Sequence, residues 1–594
     1  MRKHSVLFTL MAMTFLFVSA SAFAGVNGKK PATNDKPAAA ISSASHRIPL
    51  NPAAVTSVFI DSMANAYGML GTSTQPLAYD PASNVIAMVH RGFPSGAVFY
   101  NYSTDGGATW SVAQGPLNGS TPLTGRYPTG GLSNPTGGTN PTTSTSVVFA
   151  YPELVGGAWG GVVYGQDLTV GAGVFTQKLD TNKLWGTTFS VMTSNSSTNG
   201  VLLAATDQNS NSISLLKSTD NGATWGSWSV PTSLNGNNLY DTAAVSSKQV
   251  PFGIWNLHGW DYVNGAYYLG WQGLRPKGLH DSTEIVYMWS KSTDGGTTWS
   301  TADVCQPKTI SSLSGMVNYT HGVNSLVDGQ EYDFLVDANG NPHFFAVFAD
   351  TTHNTQGVYE LTKVSGAWTA TKVASLNKLV NYDGFPQRMN EIGAARTATG
   401  NAVAVKWIDV VAAADSIPDV FISGRTLAGA WSTPVNLTNT SQTAGPYYCF
   451  TAMANRIGPS GKVYIVWSKD LLGATPTNGV NNLDHFGLEF LNGATVTAVH
   501  EQTSDVPVNY SLAQNYPNPF NPTTVISYQV AKASQVSLKI YNVLGQAVAN
   551  LVNGYQQAGN YKVSFDGSKL SSGVYFYEMR AGSFSQIKKM VLMK

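Results

Sequence analysis

Ser103-Thr-Asp105-Gly-Gly107-Ala-Thr-Trp110 recurs twice in the chain, as Ser218-Thr-Asp220-Asn-Gly222-Ala-Thr-Trp225 and as Ser292-Thr-Asp294-Gly-Gly296-Thr-Thr-Trp299. Each copy fits S-x-D-x-G-x-x-W, follows a β-type run and is followed by Ser or Gly. The residue types have a mechanical reason. An aspartate accepts backbone N–H groups inside its own turn, and the glycine takes backbone angles that side chains resist. The tryptophan buries a large ring and closes the hairpin onto its sheet. Ser103, Asp105, Gly107, Trp110 and their counterparts are therefore read as structural. The Asp-x-Asp spacing of an EF-hand loop is absent.

Working outward, residues 51–500 hold short runs rich in branched and aromatic residues and almost no amphipathic helix. Val85-Ile-Ala-Met-Val, Ser146-Val-Val-Phe-Ala-Tyr, Glu284-Ile-Val-Tyr-Met-Trp, His343-Phe-Phe-Ala-Val-Phe, Ala402-Val-Ala-Val-Lys-Trp and Lys462-Val-Tyr-Ile-Val-Trp are separated by Gly/Asn/Asp/Ser clusters. So many short strands predict an all-β propeller or barrel, and the internal repeat selects the propeller. The octapeptides resemble the Asp-box (BNR repeat) of sialidase-type β-propellers. Degenerate copies end at Trp185, Trp368 and Trp431, so the marker tryptophans 110, 185, 225, 299, 368 and 431 are spaced by 75, 40, 74, 69 and 63. One more unit runs from Tyr447 to about Val499. The count favours seven blades. Six remain open if the 40-residue step is an insertion, or if the last unit closes the ring with strand 55–60.

The resemblance implies a possible activity. Sialidases clamp the substrate carboxylate with three arginines, attack with a tyrosine assisted by a glutamate, and use an aspartate as acid/base; the tyrosine nucleophile departs from the usual two-carboxylate scheme. Arg47, Arg388 and Arg456 with Tyr447 or Tyr448 and Glu391 supply the letters, but nothing local marks them, and no catalytic role is assigned. A binding role has its own signal. Trp255, Trp260 and Tyr262 sit beside Asn256, Gly259 and Asn264, where aromatic faces next to amides suit stacking on sugar rings, while Tyr267-Tyr-Leu-Gly-Trp271 reads as core strand. Asp337-Ala-Asn-Gly-Asn-Pro-His343 is a turn leading into a strand. No metal or cofactor is expected, since P-loop, Rossmann, HExxH and G-x-S-x-G patterns are all missing. The expectation is a non-catalytic glycan- or protein-binding module, with a sialidase-like exo-glycosidase as the alternative.

The two ends carry an address. Arg2, Lys3 and His4, an apolar Val6–Val18 run and Ala22-Phe23-Ala24 read as a signal peptide over 1–24. Residues 25–50 and 501–509 read as linkers. Residues 510–594 hold eight basic residues against Asp566 and Glu578, a net +6, which leaves 24 basic and 31 acidic residues in 25–509, a net −7. The tail contains Tyr516-Pro517-Asn518-Pro519-Phe520-Asn521-Pro522, Val536-Ser-Leu-Lys-Ile-Tyr-Asn-Val-Leu-Gly545, Leu570-Ser-Ser-Gly573-Val-Tyr-Phe-Tyr and a terminal Lys588-Lys589-Met-Val-Leu-Met-Lys. These blocks closely resemble the type A C-terminal sorting domain of the bacterial type IX secretion system. That resemblance implies the secretion machinery as partner of 510–594 and a place at the cell surface or outside the cell. Alternating Val525–Val530, Val536–Tyr541 and Val574–Met579 predict a small immunoglobulin-like β-sandwich.

Composition sets the outer limits. The 594 residues suffice for several domains, and 43% hydrophobic with 11% aromatic residues supports a core. The balance of 34 Lys+Arg against 33 Asp+Glu excludes a strongly basic nucleic-acid binder. No segment after the leader is long and apolar enough to span a bilayer. Cys305 and Cys449 stand 144 positions apart without CxxC spacing, so pairing is left open.

Overall fold

Five of the six apolar runs become the second strand of an antiparallel sheet: Val85–Arg91, Ser146–Val155, Pro342–Asp350, Ala402–Asp409 and Ile465–Asp470. The sixth, Val286–Ser292, is a third strand. Every residue of Val85–Arg91 and Ala402–Asp409 is buried, because a strand covered on both faces reads as continuous rather than alternating hydrophobicity. The computed structural model describes residues between 56 and 593, with its longest breaks at 64–73, 118–124, 240–256, 274–284, 319–331, 379–389, 439–447, 471–485 and 493–509. The expected signal peptide, both linkers, Arg47, Trp255, Arg388, Tyr447 and Tyr516 lie outside the described residues. Contacts divide the chain into Met1–His500 and Glu501–Lys594.

Among the described residues, the first unit holds seven sheets. Their first strands are Leu77–Asp80, Thr129–Ser133, Trp185–Thr193, Gly259–Val263, Tyr332–Val336, Gly393–Thr397 and Tyr448–Met453. Each touches the first strand of the next sheet, and Tyr448–Met453 touches Leu77–Asp80, so these strands surround one axis. The unit is a β-propeller. Thr56–Met63 pairs with Phe486–Asn492, from Thr56↔Asn492 to Met63↔Phe486, and the N-terminal strand thereby becomes the outer strand of the last sheet.

First strands pack closely against the neighbouring sheets. A Cβ on Gly130 would stand 2.4 Å from Val89 Cγ2 of the neighbouring sheet. The apolar core is a succession of layers between adjacent sheets. Phe149, Tyr151 and Tyr100 fill the first interface, and Trp271, Leu202 and Met288 fill one further round. Cys305 is a free, buried thiol in one of these layers.

The three octapeptide turns share one hydrogen-bond pattern. Ser103, Ser218 and Ser292 donate through Oγ to Asp105, Asp220 and Asp294 at 2.8 Å each. The same oxygens accept the N–H of Gly107, Gly222 and Gly296. Each aspartate also accepts the N–H and hydroxyl of the threonine four residues on, at 2.6 Å for the hydroxyl. The hydrogen bonds from Thr298 hold the Asp294 carboxyl down at about 2. Trp368 and Trp431 also follow the turn after a third strand. Trp185 does not, and its assignment as a turn marker is corrected: it opens the first strand of sheet 3. The anomalous 40-residue step arises there, since the turn after the third strand of sheet 2 carries no tryptophan.

The second unit packs a sheet of Ser511–Leu512, Thr523–Val530 and Gly559–Asp566 against one of Ala547–Gln556, Ser534–Tyr541, Gly573–Ala581 and Phe584–Leu592. It is a β-sandwich around Ile526, Leu538, Ile540, Tyr577, Met579 and Met590. The proline-rich segment is zipped onto the terminal strand. Asn518 Oδ1 accepts the Val591 N–H at 2.9 Å, Phe520 N–H donates to Val591 O at 3.0 Å, and Met593 N–H donates to Phe520 O at 2.9 Å. Pro517, Pro519 and Pro522 lack a backbone donor, so Phe520 makes the contact, and its ring is buried. Gly545 turns the Tyr541–Ala547 hairpin at φ 76°, Gly573 opens its strand, and Lys588 and Lys589 alternate along the last one.

Gly296 combines φ 90° with a would-be Cβ only 2.4 Å from Leu202 Cδ1, whereas Gly315 at φ 76° has open space around it. We predict that Gly315→Ala costs about 1 kcal/mol, and that Gly296→Ala costs about 1–3 kcal/mol more through overpacking. Parallel denaturant melts check the ordering, and equal costs would refute it.

Candidate functional site

The first strands bring distant charges to the axis. Asp261 lies mid-strand in sheet 4 and is fully buried. Its Oδ2 accepts Arg396 Nε at 2.6 Å and the Val336 N–H at 2.9 Å, and its Oδ1 accepts Arg396 Nη2 at 2.9 Å and Arg456 Nη2 at 2.7 Å. Arg396 stands on the first strand of sheet 6, and Arg456 belongs to a two-residue strand running parallel to it. Burial alone would raise the Asp261 carboxyl; the charges of Arg396 and then Arg456 outweigh it and hold the group below its ordinary value. Burial, then the charge of Arg396, brings Arg456 down to about 10.

A second buried group lies on the first strands of sheets 5 and 7 and around sheet 6. Asp333 accepts the N–H of Phe334 at 2.7 Å and of Ala394 at 2.6 Å, and burial pushes its carboxyl up to about 7. Lys406 Nζ donates to Glu391 O at 2.6 Å, to Thr451 O at 3.1 Å and to Thr451 Oγ1. Glu391 Oε2 accepts the Thr451 hydroxyl at 2.7 Å, and Glu391 takes the left-handed φ 52° that a non-glycine residue rarely adopts. Farther out, His343 Nδ1 meets Glu360 Oε1 at 2.7 Å, and Arg425 Nη2 meets the same oxygen at 2.7 Å. Burial would lower His343, but the carboxylates of Asp337, 3.5 Å from its Nε2, and Glu360 win and raise it. Asp409 accepts the N–H groups of Asn377, Lys378 and Val410, yet burial pushes it up to about 8.

These placements revise the candidates. Arg456 and Glu391 are built into separate internal networks. Tyr448 opens the first strand of sheet 7, and nothing further is described for its side chain. Trp260, read from the sequence as a candidate ring for stacking on sugar, lies on the strand Gly259–Val263 and is 6% exposed among Leu269, Trp271 and Met288. Tyr262, on the same strand and half-buried, meets the Tyr267 ring edge-on at 4.9 Å, and its carbonyl accepts Arg396. The whole strand Ala266–Gly273 is buried, as its sequence implies.

Sequence reasoning passed over one cluster. Arg91 ends the second strand of sheet 1, Glu153 lies near the end of that of sheet 2, and Arg126 and Tyr127 precede Thr129–Ser133. Burial first, then the neighbouring Arg126 charge, brings Arg91 down to about 9. Tyr127 is buried at φ 45°. No spacing links these residues in the chain; the packing of sheet 2 against sheet 1 brings them together.

Residues 514–593 match the family described as Secretion system C-terminal sorting domain. The tail is a type IX sorting domain, and it indicates export to the cell surface or extracellular space. No curated protein matches the chain in sequence. Among solved structures, the polysaccharide lyase Uly1 is similar at 12% identity and TM-score 0.37, over 76% of this chain and all of that one (100%). The Streptococcus pneumoniae NanB sialidase is similar at 10% and 0.35, over 73% and 70% of the two chains. A Penicillium chrysogenum alpha-L-arabinanase gives 12% and 0.32, over 74% and 99%.

Two outcomes follow from the buried charges. Asp261→Asn strands Arg396 and Arg456, and an uncompensated buried charge should cost about 3–5 kcal/mol in an equilibrium melt. Asp333 and Asp409 have folded-state values far above the ordinary carboxylate 3.8. Their stabilisation is fully present below that value and is lost as pH rises through about 7 and about 8. The melting temperature should fall between pH 5 and 8.5, and Asp409→Asn should flatten the slope; a variant with the parental slope refutes the assignment.

Proposed function

We propose that the chain is an exported, surface-displayed or released seven-bladed propeller that binds a glycan or protein without acting on it chemically, and that residues 510–594 are its detachable address. One observation carries this reading. Among the described residues, Arg396 and Arg456 converge near the axis, both are engaged by Asp261, and the carboxylate they hold belongs to the protein itself. A clamp for an anionic sugar needs that guanidinium surface turned toward a ligand. The fold is compatible with many chemistries, so activity is argued from the site.

The sialidase-like exo-glycosidase reading is favoured by one feature, the Arg91–Arg126–Tyr127–Glu153 cluster, which gathers two arginines, a tyrosine and a carboxylate at one interface between sheets. The expected result for the purified full chain is retention on a glycan or surface-protein array with no release of terminal sugars from a mixed glycan panel. Sugar release that disappears in Arg126→Ala would replace the binding reading with the enzymatic one. For the address, deleting 510–594 should leave the propeller inside the cell envelope, and normal appearance in the medium or at the surface would overturn that part.

A further inference from the structure

We propose that the outer face of the four-stranded sheet in the second unit, together with the hairpin tip at Val543 and Leu544, is the surface by which the type IX secretion machinery takes hold of the chain; this rests on the reading of residues 510–594 as the address. The sandwich core takes Val536, Leu538 and Ile540 from one strand of that sheet, Tyr577 and Met579 from the next and Met590 from the last. Residues between them stand on the opposite face of the sheet, and the pairing sets them in rows. Tyr541 lies opposite Phe576, which lies opposite Lys589. Lys539 lies opposite Glu578, which lies opposite Ile587, and Val574 lies opposite Val591. None of the apolar members of these rows is buried, and Ile587 is 59% exposed.

The hairpin beyond Tyr541 extends this face. Asn542 Oδ1 accepts the N–H groups of Leu544 and Gln546 at 3.0 Å each, and Asn542 Nδ2 donates to Gln546 Oε1 at 2.9 Å. The Gly545 N–H returns to Asn542 O at 3.0 Å. These bonds fix the turn, yet Val543 and Leu544 are left 68% and 78% exposed at its tip. The other outer face of the same sandwich supplies the contrast. Along Thr523–Val530, the residues opposite the buried Thr524, Ile526, Tyr528 and Val530 are Thr523, Val525, Ser527 and Gln529, three of them polar. Single exposed apolar residues are ordinary, whereas a contiguous apolar patch marks an interaction surface.

Position and charge point to the occupant. Every residue of the patch falls within 514–593, the stretch that matches the sorting-domain family. Its rows carry Lys539, Arg580 and Lys589 against the carboxylate of Glu578, which Arg580 Nε engages at 2.9 Å. Such a face fits an apolar protein surface bordered by carboxylates, and a second copy would bring like charges together. The proline segment lies along Phe584–Leu592 and covers that edge of the sheet near its end. The partner therefore meets side chains on the face and the tip, rather than adding a strand at that edge.

Export of the full chain from a bacterium with a type IX system tests this. The double variant Val543→Ser/Leu544→Ser and the single variant Ile587→Ser should each lower the amount at the surface or in the medium about 5-fold or more, with the missing protein recovered in the cell envelope. Val525→Ser, on the other face, should be exported at the parental level, and all three purified proteins should melt with the parent. In an otherwise parental chain, a photo-crosslinking residue at 587 should form an adduct with a type IX component identified by mass spectrometry, and one at 525 should not. This second readout decides even where a serine variant melts early. Parental export of the face variants, an equal loss in Val525→Ser, or a crosslink from 587 to the propeller or to a second copy overturns the docking face. If deleting 510–594 still stops export in that case, the address reading stands without the face; if the deleted chain is exported normally, both fall.

Discussion

Asp261 is the point on which the ring closes. Sheets packed around an axis leave their first strands next to one another, and buried polar groups there need partners. One carboxylate solves this by collecting donors from three directions: the backbone of sheet 5, the guanidinium of sheet 6, and Arg456 from the strand that follows the first strand of sheet 7. Burying charge is expensive, and the pairs offset that cost only while every partner is present. The arrangement therefore adds little net stability over an apolar plug of similar volume, but it strongly disfavours any closure in which sheets 4, 6 and 7 are out of place. Neighbouring carboxylates follow the same logic at shorter range: Asp333 holds the start of sheet 6 through the Ala394 N–H.

The periphery is held differently. There the octapeptide turns tie each hairpin to itself with hydrogen bonds of four residues' reach or less, and their tryptophans reach across to the adjoining layer, as Trp225 does to Tyr164 and Trp299 to the Leu202–Trp271 layer. Local satisfaction makes these turns tolerant of their surroundings. The motif is accordingly repeated almost unchanged in three sheets, whereas no two axial contacts are alike.

This division explains what could be read from the chain. The second strands are covered on both faces and announce themselves as unbroken apolar runs. The turns carry short-range chemistry and so leave a linear pattern. The axial network leaves none: Asp261 and Arg456 are 195 positions apart, and Gly393-Ala-Ala-Arg-Thr looks like nothing in particular until the ring places it. Trp260 illustrates the converse error. Its Gly, Asp and Asn neighbours resemble a loop, but Gly259 and Asp261 are there because a first strand needs closeness and a carboxylate, and the indole is part of the layer behind them. Trp185 misled for a related reason, since a tryptophan after a polar stretch marks a turn only if a third strand precedes it.

The tail keeps its contacts within its own unit. Its alternating strands bury every second residue of Thr523–Val530 and Ser534–Tyr541, and its proline segment folds back onto the last strand of its own unit. Such a domain satisfies its hydrogen bonds within its own unit. An address built this way can be attached to a propeller of any chemistry. The consequence for function is that the tail carries no information about the ligand. That information has to be sought in the propeller.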